Sequence, residues 1–325
     1  ILNQENIVPN TANGRLEYVF PAGNVSIQKG QKLALASLQM FYSTFNITSL
    51  NNNNVFSYVW VDGTEHQVVI PNGYYTIATL NEFLQFTMIN NTHYLIDNDT
   101  ANNVYFLTLG TNASTYKVEL TTFQMNATLF PIGAGAGQYA LPAGAGWVVP
   151  TASILPMFKI PATSFRDVIG FTNAGYYPQG SAGNYNEATI SGVPPAQTQA
   201  PAYSSNLVFA SDKVPQVSPL SSYLVKCNLI NNNYAVPNDL LYSFSPQSAF
   251  GDQFTIAPNQ LIFINIQEGQ YNKFVVEFAD QNNRPVAIED PNFVILLIIS
   301  DVGELTSLMI SKITKLGSSI ATGLL

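Results

Sequence analysis

The sequence predicts an all-β protein of the sandwich or barrel kind. Apolar and polar residues alternate in short runs rich in Val, Ile, Tyr and Phe, the signature of half-buried strands. Clusters of Gly, Pro and Asn punctuate those runs at short intervals, as turns between strands require. Across 325 residues the hydrophobic fraction is 46% and the aromatic fraction 12%, which is ample for a core.

Taken in order, a first series of strands is expected at 14–20, 31–42, 55–61, 66–70, 93–97, 104–109 and 116–121. A second series follows at 206–210, 221–230, 240–244, 253–256, 261–267, 272–278 and 293–300. One segment departs from this rhythm. Thr79 and Glu82 have capping-box spacing, and Leu80, Phe83, Leu84 and Met88 recur at three and four, so 79–89 is expected to be an amphipathic helix.

Residues 131–150 read PIGAGAGQYALPAGAGWVVP, with glycines and alanines interleaved so that neither a helical nor a strand period survives. A second stretch of this kind runs from 178 to 201. The interval 131–219, with ordered islands at 157–160 and 164–171, therefore reads as a loop-rich insertion. It separates two halves of one β domain, 6–130 and 220–301. In the closing segment, 302–325, Leu305, Met309, Ile313, Leu316 and Ile320 recur at four, four, three and four, drawing an apolar stripe along a helix. Such a stripe needs a partner: its own domain, a neighbouring subunit or a membrane surface. Lys312 and Lys315 are too few basic residues to argue strongly for the membrane.

Charge narrows the function classes. The chain has 12 Lys and Arg against 20 Asp and Glu, a net charge of -8, and only 10% charged residues, well under the roughly 25% of an ordinary domain. Asn, with 34 copies, and 24 each of Ser and Thr fill the polar positions instead. Neutral hydrogen-bonding surfaces suit contact with other protein. Polyanion binding by counterion release needs clustered basic residues, and only pairs such as Lys29 with Lys32 occur, so nucleic acid is not an expected direct ligand. The longest apolar run, 293–299, is too short to span a bilayer as a helix. Cys227 is the sole cysteine, which excludes an intrachain disulfide.

Catalytic patterns are weak. His66 and His93 fall in separate strand contexts without metal-binding spacing. Cys227 sits in the alternating run SSYLVKCNLI, the setting of a small buried hydrophobe. Ser26 and Lys29 match S-x-x-K, but Gly30 favours a turn there and no KTG follows. Ser181, in QGSAG, lacks the first glycine of a nucleophile elbow. Asp97 and Asp99 begin like a calcium loop, but Ala101 and Asn102 stand where the next ligand and the glycine belong. Six N-x-S/T sequons, at Asn24, Asn46, Asn90, Asn98, Asn112 and Asn126, are no more than this composition produces by chance. The expectation is a structural or binding protein with no catalytic site, cofactor or metal.

Several ordered blocks carry a further signal: NIVPNTANGRLEYVFP, LALASLQMFYSTFNIT, and NNNNVFSYVWVDGTEHQVVIPNGYYTIATLNEFLQFTMINNTHYLI. With NVYFLTL, FRDVIG and DPNFVILLIIS, they resemble the single jelly-roll penton, or minor capsid, proteins of virophages and polinton-like viruses, which have relatives in giant DNA viruses. The resemblance spans roughly 6–301 and is loosest over 131–219. It implies a single jelly-roll sandwich of two antiparallel sheets. It also implies five copies around each fivefold vertex of an icosahedral virion, in contact with the major capsid protein. In that setting the stripe Leu305, Met309, Ile313, Leu316 and Ile320 is a candidate subunit-docking element. The alternative is a jelly-roll carbohydrate-binding or attachment protein, for which Trp60, Trp147, Tyr176 and Tyr177 are the rings able to stack on sugars.

Overall fold

The computed structural model describes residues 1–178, 206–217 and 220–300. The chain opens with β1 (Arg15–Val19), β2 (Val25–Ile27) and β3 (Lys32–Phe41). There follow β4 (Val55–Val59), β5 (Glu65–Val69), α1 (Ile77–Asn90), β6 (Leu95–Asp97), β7 (Asn103–Val104), β8 (Leu107–Thr111) and β9 (Val118–Phe123). Next come β10 (Tyr139–Ala140), β11 (Met157–Ile160), α2 (Phe165–Val168), β12 (Gly175–Tyr177) and β13 (Asn206–Ala210). The last stretch holds β14 (Tyr223–Cys227), β15 (Leu240–Phe244), β16 (Gln253–Ile256), β17 (Ile264–Asn265), β18 (Gly269–Tyr271), β19 (Lys273–Ala279) and β20 (Val294–Ser300).

Two compact units result. One combines residues 1–45 with those from Leu220 onward; the other is Asn46–Pro219. The sequence expectation began the insertion at 131, whereas the compact inner unit begins at Asn46. The inner unit ends at Pro219, the residue at which the sequence reading also ended the insertion.

The outer unit is a jelly roll, and its strand pairing shows this directly. One sheet has the order β1-β19-β14-β15, antiparallel throughout. In the other, β3 pairs with β20 along one edge and with β16 and β17 along the other. Leu2 adds a bridge to Ile295 on the far side of β20. Numbering the bridge at Leu2 as strand one, taking β16 and β17 together as strand six beside β3, and passing over the short β2–β18 ribbon, the sheets read 1-8-3-6 and 2-7-4-5. That is the double Greek-key winding of a jelly roll. The inner unit fills the connection between the third and fourth strands.

Periodicity sets the register of the long strand. Leu33, Leu35, Leu38 and Met40 are buried, at spacings of two, three and two. A strict alternation would turn half of them outward. The pairing with β20 therefore slips between Leu296 and Leu297, stepping from Ser37 to Leu35, and this bulge keeps all four leucine and methionine side chains in the core.

The inner unit packs its main hydrophobic core against two antiparallel sheets, β12-β11-β4-β5 and β13-β9-β8, with a small third sheet, β10-β6-β7, and a small separate cluster of Val59, Met157 and Tyr176. Helix α1 contributes Ile77, Leu80, Leu84 and Met88 to that core. It begins earlier than its sequence signal. Thr76, not Thr79, is the N-cap, and Thr79 plays the third-position partner: each threonine hydroxyl accepts from the other's backbone N–H, at 3.2 and 2.8 Å. The Asn81 carboxamide then accepts from Leu109 N–H at 2.8 Å, tying the helix to β8. Among the described residues no helix is long and apolar enough to cross a membrane.

Candidate interaction face

The two faces the jelly roll turns outward differ in chemistry. On the β1-β19-β14-β15 sheet, outward positions carry charge in complementary pairs: Arg15 with Glu277, Lys273 with Glu17 at 3.1 Å, and Lys226 with Asp239 at 3.2 Å. The first two, between β1 and β19, are partly exposed cross-strand pairs that contribute little each but mark a face suited to solvent.

The other sheet presents an outward face with no charge over most of its length. Cross-strand partners share a face, so the register places Gln253 beside Phe41, Thr255 beside Gln39, Val294 beside Gln39 and Leu296 beside Ser37. Past the bulge Ile298 continues the row, and Lys32 is reached only opposite Ser300. Val294, Leu296 and Ile298 are 44%, 37% and 37% exposed. Nearby, Asn3, Gln4, Gln39, Gln253 and Asn292 rim a shallow depression floored by Phe41. Amides and aliphatics together can be covered by another protein without stripping water from ions, the costliest part of burying a surface.

A second exposed element is the β14–β15 loop. Asn232 shapes its tip by accepting from Tyr234 N–H at 3.1 Å. This leaves Tyr234 100% and Val236 99% exposed. Tyrosine at a protruding tip supplies a large, rigid, amphipathic contact, the kind that anchors protein interfaces.

The sequence-nominated aromatics lie elsewhere. Trp147, Tyr176 and Tyr177 are 5%, 1% and 2% exposed. Trp147 Nε1 donates to Thr92 O at 2.7 Å and meets Trp60 edge-on at 5.1 Å. Tyr176 lies under the Lys159 ammonium, and Tyr177 packs edge-on against Phe171 and Phe209. Trp60 is also fully buried. These rings are core, with no free face for a sugar. Ring chemistry alone nominated them, and in a β protein it serves a core as readily as a sugar site. Leu305, Met309, Ile313, Leu316 and Ile320 lie outside the described residues.

The structure does bring together two histidines that the sequence kept apart. Their ring centroids lie 4.4 Å apart. Tyr58 OH accepts from Asn91 Nδ2 at 2.9 Å and shares a hydrogen bond with His93 Nδ1 at 2.8 Å, while Trp60 stacks on His93 at 4.7 Å. Burial, reinforced by neighbouring His66, lowers the His93 pKa to about 4. Neutral and engaged at Nδ1, His93 is a packed polar group inside an aromatic cluster. Cys227 is buried too, and burial pushes its thiol up to about 11, away from nucleophilic reactivity. Ser26 Oγ accepts from Gln28 Nε2, and the Asp97 carboxylate closes a turn by accepting from Asp99 N–H and the Thr100 hydroxyl. Among the described residues, no group of three or more His, Cys, Asp and Glu could hold a metal ion. Of the six sequons, Asn46 and Asn126 are buried, with their amides donating to Tyr75 O and Val217 O and to Ser153 Oγ respectively.

No family model matches the sequence, and no curated protein is similar to it. Among solved structures the chain is similar to the selenomethionine-labelled mavirus penton protein, with 11% identity, a TM-score of 0.41, and coverage of 92% of this chain and 96% of that one. It is also similar to a chain of the 3.5 Å cryo-EM structure of the Sputnik virophage, with 12% identity, a TM-score of 0.34, and coverage of 90% and 93%.

Proposed function

We propose that the protein is a non-enzymatic structural component of an icosahedral capsid, of the penton kind. Copies of it would associate around a fivefold vertex and contact the major capsid protein about them. The observation that carries this reading is the chemical asymmetry of the jelly roll. One sheet is dressed in ion pairs for solvent, and the other offers Gln39, Gln253, Val294, Leu296 and Ile298 with no charge among them. An uncharged, partly apolar sheet face on a folded domain is a surface for association. The sequence blocks that resemble virophage penton proteins give that association its setting.

A ring of identical copies uses heterologous contacts, two different patches meeting around a closed rotation. The neutral sheet face and the Tyr234–Val236 tip are two such patches on the same unit. The inner unit, inserted at one connection, leaves the sheet pairing of the jelly roll uninterrupted. Native mass spectrometry of the purified chain tests the reading. A five-copy species is the expected result. A chain that stays monomeric at high concentration, alone and with its capsid partner, would remove it.

A further inference from the structure

The jelly roll is open at one end. Between its sheets lies a groove of about 270 Å³, walled by Tyr18, Phe20 and Phe274 from one sheet and by Leu33, Leu297 and Ile299 from the other. The three rings touch one another, with centroids 5.5 to 5.8 Å apart, so the wall is a preformed aromatic surface. A volume above the roughly 150 Å³ that accommodates benzene in an apolar cavity has room for about two branched aliphatic side chains.

Two facts identify an occupant. Ile299 is itself a wall residue, and Ser300 next to it pairs with Lys32 at the rim, so the chain leaves the sandwich at the mouth of this groove. The 25 residues that follow carry the stripe Leu305, Met309, Ile313, Leu316 and Ile320, beginning five residues past Ser300 after the turn-permitting Gly303. A segment tethered this closely meets the groove at an effective concentration in the millimolar range.

We propose that this groove is the seat of the chain's own C-terminal apolar stripe. The inference is independent of the capsid assignment, since it concerns one copy of the chain. A photo-reactive diazirine amino acid in place of Met309, in the full-length protein, tests it. After irradiation, adducts are expected on peptides containing Phe20, Leu33 or Phe274. In a mixture of ¹⁴N and ¹⁵N protein they should join like-labelled peptides only. Adducts confined to other surfaces, or mixed-label adducts showing that a second copy supplies the stripe, would overturn the proposal. As a second readout, the paired substitutions Met309→Asp and Ile313→Asp should raise binding of an apolar fluorescent dye about threefold or more by opening the groove. Dye binding unchanged from the unsubstituted chain would count against it.

Discussion

Thr44 Oγ1 and Tyr223 OH lie 2.6 Å apart, and the bond between them joins the strand that leaves the jelly roll to the strand that returns to it. Thr44 follows β3 and Tyr223 opens β14, so this one contact closes the root of the long connection. Around it Tyr223 stacks on Phe244 at 5.1 Å, and Phe250 packs against Tyr42 and Phe45. With its root fastened in this way, the jelly roll can carry an insertion larger than itself in sequence without losing strand order.

Tyr223→Phe should therefore destabilise the protein by about 1–2 kcal/mol, since it keeps the ring packing and removes only the hydroxyl contact of a fully buried side chain. Tyr223→Ala should cost about 3–5 kcal/mol by adding a cavity. Chemical denaturation of both variants measures the difference. Equal losses would mean the hydroxyl, not the ring, holds the root.

The inner unit has a clasp of its own. Asn46 accepts from Tyr75 N–H at 2.8 Å and donates to Tyr75 O and Val217 O, each at 2.7 Å, bringing its first residue to residue 217. Asn46→Ala leaves these buried backbone groups without their partner and should cost about 2–4 kcal/mol. Hydrogen exchange should rise in residues 46–178 and much less in the jelly-roll strands. A uniform rise across both units would contradict two separate compact units.

Acid should weaken the inner unit through His93. Its folded-state pKa of about 4 lies below the ordinary 6.5, so the unfolded chain takes up a proton that the folded form resists. The stabilisation is complete above about 6.5 and is lost as pH falls through about 4, with an upper limit of about 3 kcal/mol. His66, whose pKa burial also lowers, acts in the same direction, while Asp62 beside them favours the charged ring. Melting curves from pH 7 to 4.5 should show the decline, and His93→Gln should flatten it. A profile unaffected by that substitution would assign the acid sensitivity elsewhere.

The neutral sheet face should be dispensable for folding and required for association. Leu296→Lys places a charge on an outward position and should shift the melting temperature little. It should weaken self-association at least tenfold, about 1.4 kcal/mol. Glu17→Gln on the charged sheet is the control and should leave association unchanged. Analytical ultracentrifugation of the two variants reads this out. Equal effects would deny any asymmetry between the faces.

Much of the strand pattern was legible in the sequence. Asn206–Ala210, Leu240–Phe244 and Gln253–Ile256 are strands with the expected bounds, because each is a short run rich in aliphatic and aromatic residues closed by turn-forming residues. The three-residue ribbon strands β2 and β18 were not legible, being too short for a period of two to register. The expected strand at 261–267 shrinks to Ile264–Asn265, since alternation alone does not provide a partner along the whole run. The boundary after Phe45 has no compositional mark: strands of the same texture lie on both sides of it, and only pairing between residues far apart in sequence distinguishes them. The neutral sheet face was hidden for a similar reason. Leu296 and Leu297 are neighbours of one type that ordinary strand alternation sends to opposite faces, and only the pairing with β3 decides which of them faces outward and which lines the groove.

The most direct test of the central claim is cryo-electron microscopy of assembled particles containing this chain, with icosahedral averaging. The account predicts five copies around each fivefold vertex, with Val294, Leu296 and Ile298 covered by a neighbouring subunit. Density for the chain away from the vertices, or at the vertices with that face open to solvent, would contradict it.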